Sequence, residues 1–344
     1  TPCKVKEIVV RMNFMKKIAI LGSTGSLGEQ TLDVCRKYSE HCQVVGLSAY
    51  KSLEQLRRQA KEFTGAEAVL AAAGESVEKL AQKPDVDLVV NVLPGLAGVS
   101  VTKAAIKAGK TLLLGNKESL VAEGESLKAA IKEGKIISLD SEHDAISEIL
   151  LSEPGLDAVQ VFIPCSGGPF LQRENLEEVS IKEALAHPKW KMGPKISLES
   201  ATLLNKGFEI IEAYYLFNLP LDQITAFIHP ECQVHGVVQF ESKTLAYYAA
   251  PDMREHIENA LCRALKLPAP KRDIRQIEPQ DFSFPVPPHS KLPGIKIVRR
   301  VFKEALESKS PSKAMTHFLQ KEELALQKFA SKQISFPEIF KLLE

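Results

Sequence analysis

The segment KIAILGSTGSLG, residues 17–28, places a short apolar run directly before a turn that holds three glycines. The run Lys17–Leu21 predicts a buried strand, and the apolar positions after Gly28 predict a helix. A glycine turn between a strand and a helix lets backbone N–H groups and the helix N-terminus approach a pyrophosphate closely. A tight turn that serves packing alone is the alternative, but it does not require three glycines. The segment therefore favours a dinucleotide-binding α/β fold.

The second predicted strand, Gln43–Ala49, indicates which nucleotide is bound. It ends in Tyr50-Lys51-Ser52 and lacks the carboxylate that would bind the ribose hydroxyls of NAD. Lys51 and Ser52 can instead neutralise and hydrogen-bond a 2′-phosphate, so the sequence favours NADPH. The alternative for Lys51 is an exposed lysine at a helix start.

Three more strands are predicted at Asp87–Leu93, Thr111–Gly115 and Lys135–Asp140, with helical stretches between them. This alternation predicts a doubly wound parallel sheet of the Rossmann type, in which ligands bind beyond the carboxyl ends of the strands. Polar residues lie where the strands end: Ser23, Thr24, Lys51, Ser52, Asn91, Asn116, Lys117, Glu118, Asp140, Ser141, Glu142 and His143. Taken singly, the groups at 116–118 and 140–143 are also typical of helix starts.

Composition narrows the class of protein. The chain has 344 residues, 44% of them hydrophobic, and a formal net charge of +1. This length allows two or three domains, and the balanced charge gives no field that would attract nucleic acid or an anionic membrane. No apolar run reaches about 20 residues, so we expect no membrane partner. Six cysteines without a CxxC pair suit a reducing compartment. Residues 1–14 are interpreted as an extension before Met15 or the remains of a transit peptide.

The segment from His187 to Glu212 concentrates polar and aromatic residues around one predicted helix. Apolar residues recur at the spacing of an amphipathic helix: Leu204, Phe208, Ile211 and Tyr215. We expect Ser200 at its N-cap, where free backbone N–H groups favour an anion. The other face carries Asn205, Lys206, Glu209 and Glu212. This face is interpreted either as a binding site or as a solvated surface.

The residues before this helix, His187–Pro194, predict a mobile flap. Pro188, Gly193 and Pro194 stiffen its two ends, and Trp190 is a large apolar side chain between them. An exposed tryptophan is costly in water unless a ligand covers it for part of the cycle. The alternative is that Trp190 packs permanently in the core.

The second half of the chain predicts a smaller open sheet and a helical end. Its strands are predicted at Val159–Ile163, Ile224–Ile228, Val234–Phe240 and Thr244–Ala249. The turn Pro164–Phe170 exposes a hydroxyl and backbone amides that can bind an anion. Residues 267–293 are rich in proline and predict an extended linker, and residues 294–344 are helical by pattern.

Seven sequence blocks resemble the 1-deoxy-D-xylulose 5-phosphate reductoisomerase family, in the family's order and between about residues 17 and 295. They are GSTGSLG (22–28), GNKESLV (115–121), LDSEHDAI (139–146), CSGGPF (165–170), HPKWKMG (187–193), SATLLNKGFEIIEA (200–213) and PDMREHIENAL (251–261). The resemblance implies an NADPH domain at 1–150, a catalytic domain at 151–266 with its flap at 187–194, a linker at 267–293 and a C-terminal helical domain at 294–344. It also implies a homodimer.

The resemblance assigns roles to individual residues. Those implied for NADPH are Thr24, Gly25, Ser26 and Leu27 at the pyrophosphate, Lys51 and Ser52 at the adenosine end, and Asn116, Glu118, Met192 and Gly193 at the nicotinamide side. Those implied for the metal are Asp140, Glu142 and Glu209, which with Lys117 form the catalytic set. Three oxygen ligands suit Mg²⁺ or Mn²⁺, with Co²⁺ as a third candidate. Those implied for the substrate are Lys117, Ser141, Glu142 and Glu209, a phosphate cradle of Ser166, Ser200, Asn205 and Lys206 beside His187, and Trp190 in the flap.

The implied reaction is the isomerisation and NADPH-dependent reduction of a phosphorylated sugar, by a retro-aldol/aldol or a ketol rearrangement, in isoprenoid precursor synthesis. Another NADP-dependent dehydrogenase and a non-catalytic NADPH sensor are the alternatives. The segment FLQKEELAL (318–326) departs from the family's pattern and leaves the packing of the C-terminal part open. A bacterial source would imply the cytoplasm, and a eukaryotic source a plastid-type organelle.

Overall fold

The first sheet of the computed structural model, which describes residues 15–190, 192–268, 270–278 and 284–344, has six parallel strands in the order β3-β2-β1-β4-β5-β6. They are β1 (Lys16–Leu21), β2 (Cys42–Ala49), β3 (Glu67–Leu70), β4 (Leu88–Asn91), β5 (Thr111–Leu114) and β6 (Ile136–Ser138). The predicted doubly wound sheet is confirmed. Strand β3 was not predicted, because only Val69 of its four residues is fully buried and the apolar signal is weak. The interpretation of residues 1–14 falls outside the described residues.

Helices cover both faces of this sheet. They are α1 (Ser26–Lys37), α2 (Leu53–Glu62), α3 (Val77–Ala81), α4 (Ala97–Lys107), α5 (Lys117–Lys132) and α6 (Ser141–Ser152). Side chains alternate along β1, so that Ile18 and Ile20 join one apolar layer and Ala19 and Leu21 join the other. The strand order reverses at β1, which lies between β2 and β4. Such a reversal opens a crevice at the carboxyl ends of the strands, where ligands of these folds bind.

A second sheet of five strands has the order β11-β10-β9-β7-β8. Its strands are β7 (Ala158–Cys165), β8 (Ile224–Ile228), β9 (Val234–Phe240), β10 (Thr244–Tyr248) and β11 (Asp273–Ile277). Only β7 and β8 are parallel, and the other pairs are antiparallel. The four predicted strands are confirmed. β11 lies in the segment predicted as a linker and pairs along β10 from Asp273 to Ile277, so these five residues belong to the sheet.

The remaining helices connect the two sheets and close the molecule. They are α7 (Ile181–Ala184), α8 (Pro194–Ala201), α9 (Leu204–Phe217), α10 (Met253–Leu265), α11 (Gly294–Glu307), α12 (Pro311–Ala330) and α13 (Phe336–Leu343). Helix α10 returns to the first sheet, where Ile257 and Leu261 share an apolar layer with Ile18. None of the described helices combines the length and apolarity needed to cross a bilayer.

Helix α9 is central to the packing. The predicted apolar stripe is buried, and Phe208 meets Phe318 of α12 edge to face at a ring separation of 6.3 Å. A side chain at Gly207 would meet Val298 of α11 at 2.7 Å, so a glycine here lets the two helices approach closely. The C-terminal helices therefore pack on α9 despite the departure at residues 318–326, and they remove much of α9 from water.

Candidate active site

The glycine turn after β1 has a shape that only glycine permits at two positions. Gly22 has φ +93°, and a Cβ on Gly28 would lie 2.3 Å from the Gly22 carbonyl oxygen. Helix α1 then begins at Ser26, and no side chain caps its N-terminus. Thr24 and Leu27 are half-buried, whereas Gly25 and Ser26 are exposed. The turn is therefore open to a ligand at the helix N-terminus, as expected for a pyrophosphate site.

Ser23 belongs to the framework of this turn. It is fully buried, and its hydroxyl oxygen lies 2.7 Å from Gln59 Oε1, to which it donates, and 3.1 Å from Ser48 O. The bond from Gly22 N to Ser48 O, 3.2 Å, ties the end of β1 to the end of β2. Of the three residues with hydroxyls in the turn, Ser23 is buried, Thr24 is half-buried and Ser26 is exposed.

Lys51 and Ser52 lie at the same edge, directly after β2. Both are exposed, and Lys51 Nζ lies 5.1 Å from the ring centroid of the largely exposed Tyr50. Ser52 is the N-cap of α2 but accepts no capping hydrogen bond. The structure therefore brings a cation and a free hydroxyl to the crevice edge and places no carboxylate among residues 50–52.

Asn116 and Glu118, predicted on the nicotinamide side, are buried and form internal hydrogen bonds. Asn116 Nδ2 donates to Gly95 O at 2.9 Å and to Glu118 Oε2 at 2.8 Å, and Asn116 Oδ1 accepts from Ser119 N at 3.1 Å. Glu118 Oε1 accepts from Gly95 N at 2.7 Å. These two residues hold the loop after β4 against the start of α5, and their contact with a nicotinamide stays a prediction.

The predicted carboxylates converge on two buried lysines. Lys117 Nζ lies 2.6 Å from Asp140 Oδ2 and 3.4 Å from Glu209 Oε1. Lys206 Nζ lies 2.6 Å from Glu142 Oε1 and also donates to Glu209 Oε2. Glu209 thus bridges both lysines. Chain segments far apart in sequence, the starts of α5, α6 and α9, meet here, and the family resemblance implied this meeting.

The charges in this cluster perturb one another strongly. Burial raises the pKa of Glu209 to about 7, and the neighbouring Glu142 carboxylate adds to the rise. Burial also opposes ionisation of Glu142, but the Lys206 ammonium outweighs it and holds the pKa of Glu142 below its ordinary value. The pKa of Lys117 is raised because Asp140 and Glu209 outweigh its burial. Both lysines are therefore charged at neutral pH.

Charge and unpaired atoms indicate that the cluster fits a divalent cation. Four carboxylates, from Asp140, Glu142, Glu209 and Glu212, face two lysines, so the site would carry a formal charge of −2 with all six groups ionised. Burial raises the pKa of Glu209 and of Glu212, which shows that full ionisation is unfavourable unless another cation is present. Glu212 Oε2 has no hydrogen-bond partner among the described residues. Hard oxygen ligands with this excess charge are the chemistry that Mg²⁺ and Mn²⁺ prefer. The donor set therefore fits the expected ion.

A second grouping shares Asp140 with the predicted ligands. One ligand atom each of Asp140, His143 and Glu212 lie within 4.8 Å of one another. His143 Nδ1 has no hydrogen-bond partner among the described residues, while His143 Nε2 lies 2.8 Å from Glu209 O. His143 and Glu212 are at most 2% exposed on their side chains, against 14% for Asp140 and 19% for Glu142. The Glu209 side chain is 3% exposed, so only Asp140 and Glu142 mark the more open side of the cluster.

The sequence placed Glu212 on the polar face of the predicted helix and His143 at a strand end, without a specific role for either. It made His235 a metal candidate only if a third ligand joined it and His229. Glu212 and His143 stand three residues after Glu209 and Asp140, which is the spacing of one helix face, and this spacing was the available signal. His235 lies in β9, and nothing local distinguishes it from a structural histidine. Burial lowers its pKa to about 3, so it is neutral in this surrounding.

The turn after β7 and the flap meet at Ser166 and His187. Their side chains lie 3.0 Å apart, between Ser166 Oγ and His187 Nε2. His187 Nδ1 accepts from Trp190 N at 3.0 Å, which leaves the proton on Nε2, facing Ser166. Burial lowers the pKa of His187 to about 4, helped by Lys206, so the ring is neutral at neutral pH. An open cavity of about 360 Å³ lies here, lined in part by Ser166, Gly168, Pro188 and Lys189.

The predicted N-cap at Ser200 was wrong. The chain is already helical from Pro194, and Ser200 lies in the last turn of α8. The helix ends there because Leu203 takes a left-handed conformation with φ 60°, and α9 begins at Leu204. Ser200 still lies against the anion turn, since a Cβ on Gly168 would meet Ser200 O at 2.8 Å.

The flap holds its tryptophan partly covered. Trp190 is half-buried and meets the His235 ring edge-on at a centroid distance of 6.2 Å. Met192 is half-buried and Gly193 exposed, and Lys191 lies outside the described residues. Trp190 is therefore neither fully exposed, as in an open flap, nor fully packed in the core. A lid motion stays a prediction.

Comparisons with known proteins agree with the geometry. Residues 18–74 and 66–124 match the sequence model described as 1-deoxy-D-xylulose 5-phosphate reductoisomerase. Residues 136–217 match the model of the C-terminal domain of the same enzyme. These segments contain every residue proposed above for metal and phosphate.

Relatives and solved structures match along nearly the whole chain. The 1-deoxy-D-xylulose 5-phosphate reductoisomerases of Thermodesulfovibrio yellowstonii and Thermus thermophilus are 36% and 37% identical to it, each over 96% of this chain and 91% of the relative. A crystal structure of DOX-P reductoisomerase with NADPH, fosmidomycin and magnesium is 29% identical, with a TM-score of 0.81 over 96% of this chain and 89% of that one. The Zymomonas mobilis enzyme with NADPH is 28% identical, with a TM-score of 0.77 over 96% and 90%. The chain belongs to the 1-deoxy-D-xylulose 5-phosphate reductoisomerase family.

Proposed function

We propose that this chain converts 1-deoxy-D-xylulose 5-phosphate into 2-C-methyl-D-erythritol 4-phosphate, with NADPH as reductant and Mg²⁺, Mn²⁺ or Co²⁺ as the metal. The observation that carries the proposal is the buried meeting of Asp140, Glu142 and Glu209 with Lys117 and Lys206. A plain dehydrogenase does not need this excess of carboxylates beside two lysines. The product serves isoprenoid precursor synthesis.

The metal would be held by Asp140, Glu142 and Glu209, the carboxylates that pair with Lys117 and Lys206. A bound divalent cation acts as a Lewis acid towards the oxygens of the substrate. Lys117 and Lys206 balance the carboxylates and orient them. Ser141 Oγ donates to Glu142 Oε2 at 2.6 Å, so it fixes that carboxylate and stands beside the substrate hydroxyls.

The substrate phosphate binds between the turn after β7 and the start of α9. Its cradle is Ser166, Ser200, Asn205 and Lys206, with His187 beside it. Lys206 supplies a buried charge, and the proton on His187 Nε2 orients the Ser166 hydroxyl. Trp190 covers this space from the flap. Such charge-assisted hydrogen bonds hold an anion more strongly than neutral donors do.

NADPH binds along the carboxyl edge of the first sheet. Its pyrophosphate contacts Thr24, Gly25, Ser26 and Leu27, and its 2′-phosphate contacts Lys51 and Ser52. The nicotinamide lies towards Asn116, Glu118, Met192 and Gly193. Because Asn116 and Glu118 are buried, we propose that they act by shaping the loop at Gly95.

We further propose a homodimer, and a division into an NADPH domain (1–150), a catalytic domain (151–266), a linker (267–293) and a C-terminal helical domain (294–344). Sedimentation velocity tests the homodimer, and limited proteolysis tests the division into domains. A monomer at micromolar concentration would contradict the dimer.

The direct test of function is oxidation of NADPH, followed at its absorbance band, with 1-deoxy-D-xylulose 5-phosphate and with or without Mg²⁺. Turnover is expected only when the sugar phosphate and the metal are both present. A protein that binds NADPH but never oxidises it under any metal would contradict the proposal.

Lys51→Glu should lower the catalytic efficiency with NADPH about tenfold or more, because a charge-assisted hydrogen bond to the 2′-phosphate is replaced by repulsion. Efficiency with NADH should change little. Steady-state kinetics with both nucleotides measures this. Lys61→Glu is the matched control, since Lys61 is an equally exposed lysine at the other end of α2. Equal efficiency of the unmodified enzyme with both nucleotides would refute the preference.

Fluorescence of Trp190 should shift to the blue when fosmidomycin is added together with Mg²⁺ and NADPH. The half-buried ring loses its remaining contact with water when the flap closes. Trp190 is the only tryptophan of the chain, so the signal reports on the flap alone. Cleavage by trypsin after Lys189 should slow in parallel. An emission spectrum that ignores saturating ligand would show that the segment is not a lid.

A further inference from the structure

Lys195 connects three helices at one buried point. It lies in the first turn of α8, directly after the flap. Its Nζ is 3.1 Å from Glu118 Oε1 of α5 and 3.3 Å from Glu322 Oε2 of α12, and it also donates to Glu199 one turn further along α8. We call these four residues the Lys195 cluster.

The Lys195 cluster carries an unusual charge for its burial. Its three carboxylates have side chains at most 6% exposed, and a single ammonium faces them. Glu199 Oε2 and Glu322 Oε1 have no hydrogen-bond partner among the described residues. Burial and the neighbouring Glu199 raise the pKa of Glu322 well above its ordinary value, because uncompensated buried charges are strongly unfavourable. The compensating cation among the described residues is Lys195. Its pKa is raised, because the carboxylates outweigh its burial.

Two parts of the proposed active site are connected to the Lys195 cluster. Lys117, the residue before Glu118, places its Nζ 2.6 Å from Asp140. Glu118 itself accepts a hydrogen bond from Gly95 N at 2.7 Å. On the other side, Met192 and Gly193 of the flap come just before Lys195. A shift of Lys195 would move both the nicotinamide-side loop and the end of the flap.

The C-terminal part takes part through the segment in which the sequence departs from the family's pattern, FLQKEELAL. Glu322 enters the cluster directly, and its neighbour Glu323 accepts from Leu96 N at 3.3 Å, in the same loop as Gly95. Helix α12 thus touches the flap helix and the loop after β4 at once. Glu322 of this segment makes an ionic contact with Lys195 at this junction.

We propose that Lys195 is a positioning residue that joins the C-terminal helix α12 and the flap helix α8 to the nicotinamide side of the site, and that Glu322 is its partner from the C-terminal part. This inference rests on the proposed function. Lys195 does not touch the reacting atoms; it sets where Glu118, Lys117 and the flap stand relative to one another.

The test compares Lys195→Met, Lys195→Arg and the double variant Lys195→Met/Glu322→Gln in the full-length enzyme. Lys195→Met should lower kcat about 10- to 100-fold, because small misplacements near a reaction site cost this much. It should also weaken NADPH binding and reduce the Trp190 response to fosmidomycin. Lys195→Arg should retain most activity. The double variant should recover part of the loss, since one uncompensated carboxylate is gone.

Lys243→Met is the matched control. Lys243 pairs with Glu153 at 2.6 Å in the turn between β9 and β10, with both side chains about a quarter exposed, so it reports the cost of losing an ion pair elsewhere. A Lys195→Met enzyme with lowered thermal stability but with kcat and NADPH affinity within twofold of normal would overturn the proposal. If Lys195→Met does not fold, the double variant decides by the same criterion. An unmodified enzyme that binds NADPH without turnover would instead refute the proposed function. In that case, NADPH affinity and Trp190 emission of the Lys195 variants would still test whether the Lys195 cluster positions the site.

Discussion

Replacing Glu209 by Gln should lower kcat by about 100- to 1,000-fold, since a metal ligand in such a site contributes several kcal/mol to transition-state stabilisation. Glu209 is the one carboxylate that bridges Lys117 and Lys206, and it accepts a further bond from Asn205 Nδ2 at 2.5 Å. Glutamine keeps the shape but removes the charge that the cation and both lysines need. NADPH oxidation at varied Mg²⁺ measures the loss.

The fold and the nucleotide site should survive this change. Glu209 lies in α9, away from the glycine turn, so NADPH affinity should be unaltered. Saturating Mn²⁺ should restore part of the activity, because Mn²⁺ tolerates a neutral ligand better than Mg²⁺ does. Near-normal rates at low Mg²⁺ would show that Glu209 is not a ligand.

Glu212→Gln decides between the two possible ligand groups. Both variants make the same substitution on α9, one turn apart. If Asp140, His143 and Glu212 held the ion instead, Glu212→Gln would lose Mg²⁺ affinity and Glu209→Gln would not. We expect the larger loss of affinity at Glu209, because it contacts both Lys117 and Lys206, the lysines that also pair with Asp140 and Glu142.

The first sheet and its site edge could be predicted because their signals are local. The tight turn after β1 needs glycine at positions 22 and 28, and the sequence has glycine at both. Polar residues that follow parallel strands must meet at one edge of the sheet. The convergence of residues 116–118 with 140–142 follows from that rule. Glu209 could be assigned only through the family resemblance, because its helix reaches the site from another part of the chain.

The errors arose where distant packing decides local structure. Leu203 has φ 60° and ends α8, yet leucine gives no sign of a left-handed residue, so the helix start was placed at Ser200. The polar face of α9 also suits a solvated helix by sequence. It is buried in fact because the starts of α5 and α6 lie against it. The pairing of β11 likewise depends on β10 and not on the proline-rich sequence around it.

Replacing Lys206 by Met should affect both the substrate and the metal. The Lys206 side chain is 4% exposed and its Nζ lies 2.6 Å from Glu142 Oε1, so no water can replace it. Its loss removes the buried positive charge of the phosphate cradle, leaves Glu142 without its ammonium partner, and leaves Glu209 with Lys117 as its only lysine partner among the described residues. Breaking a buried ion pair costs about 3–5 kcal/mol, and the loss of that much transition-state stabilisation predicts a fall in kcat/KM of about 150- to 5,000-fold. We expect a higher KM for the sugar phosphate as well as a lower kcat, which separates this variant from Glu209→Gln.

Stability measurements separate the two roles of Lys206. Without metal, Lys206→Met should unfold at a lower urea concentration, because Glu142 and Glu209 repel each other in a buried site. Added Mg²⁺ should recover more stability in the variant than in the unmodified enzyme, since the cation replaces the missing charge. Lys243→Met, which loses a more exposed ion pair, should show no such Mg²⁺ dependence. A Lys206→Met enzyme with an unchanged KM would remove Lys206 from the phosphate cradle, and a Mg²⁺ effect equal to that of the unmodified enzyme would separate it from the carboxylates.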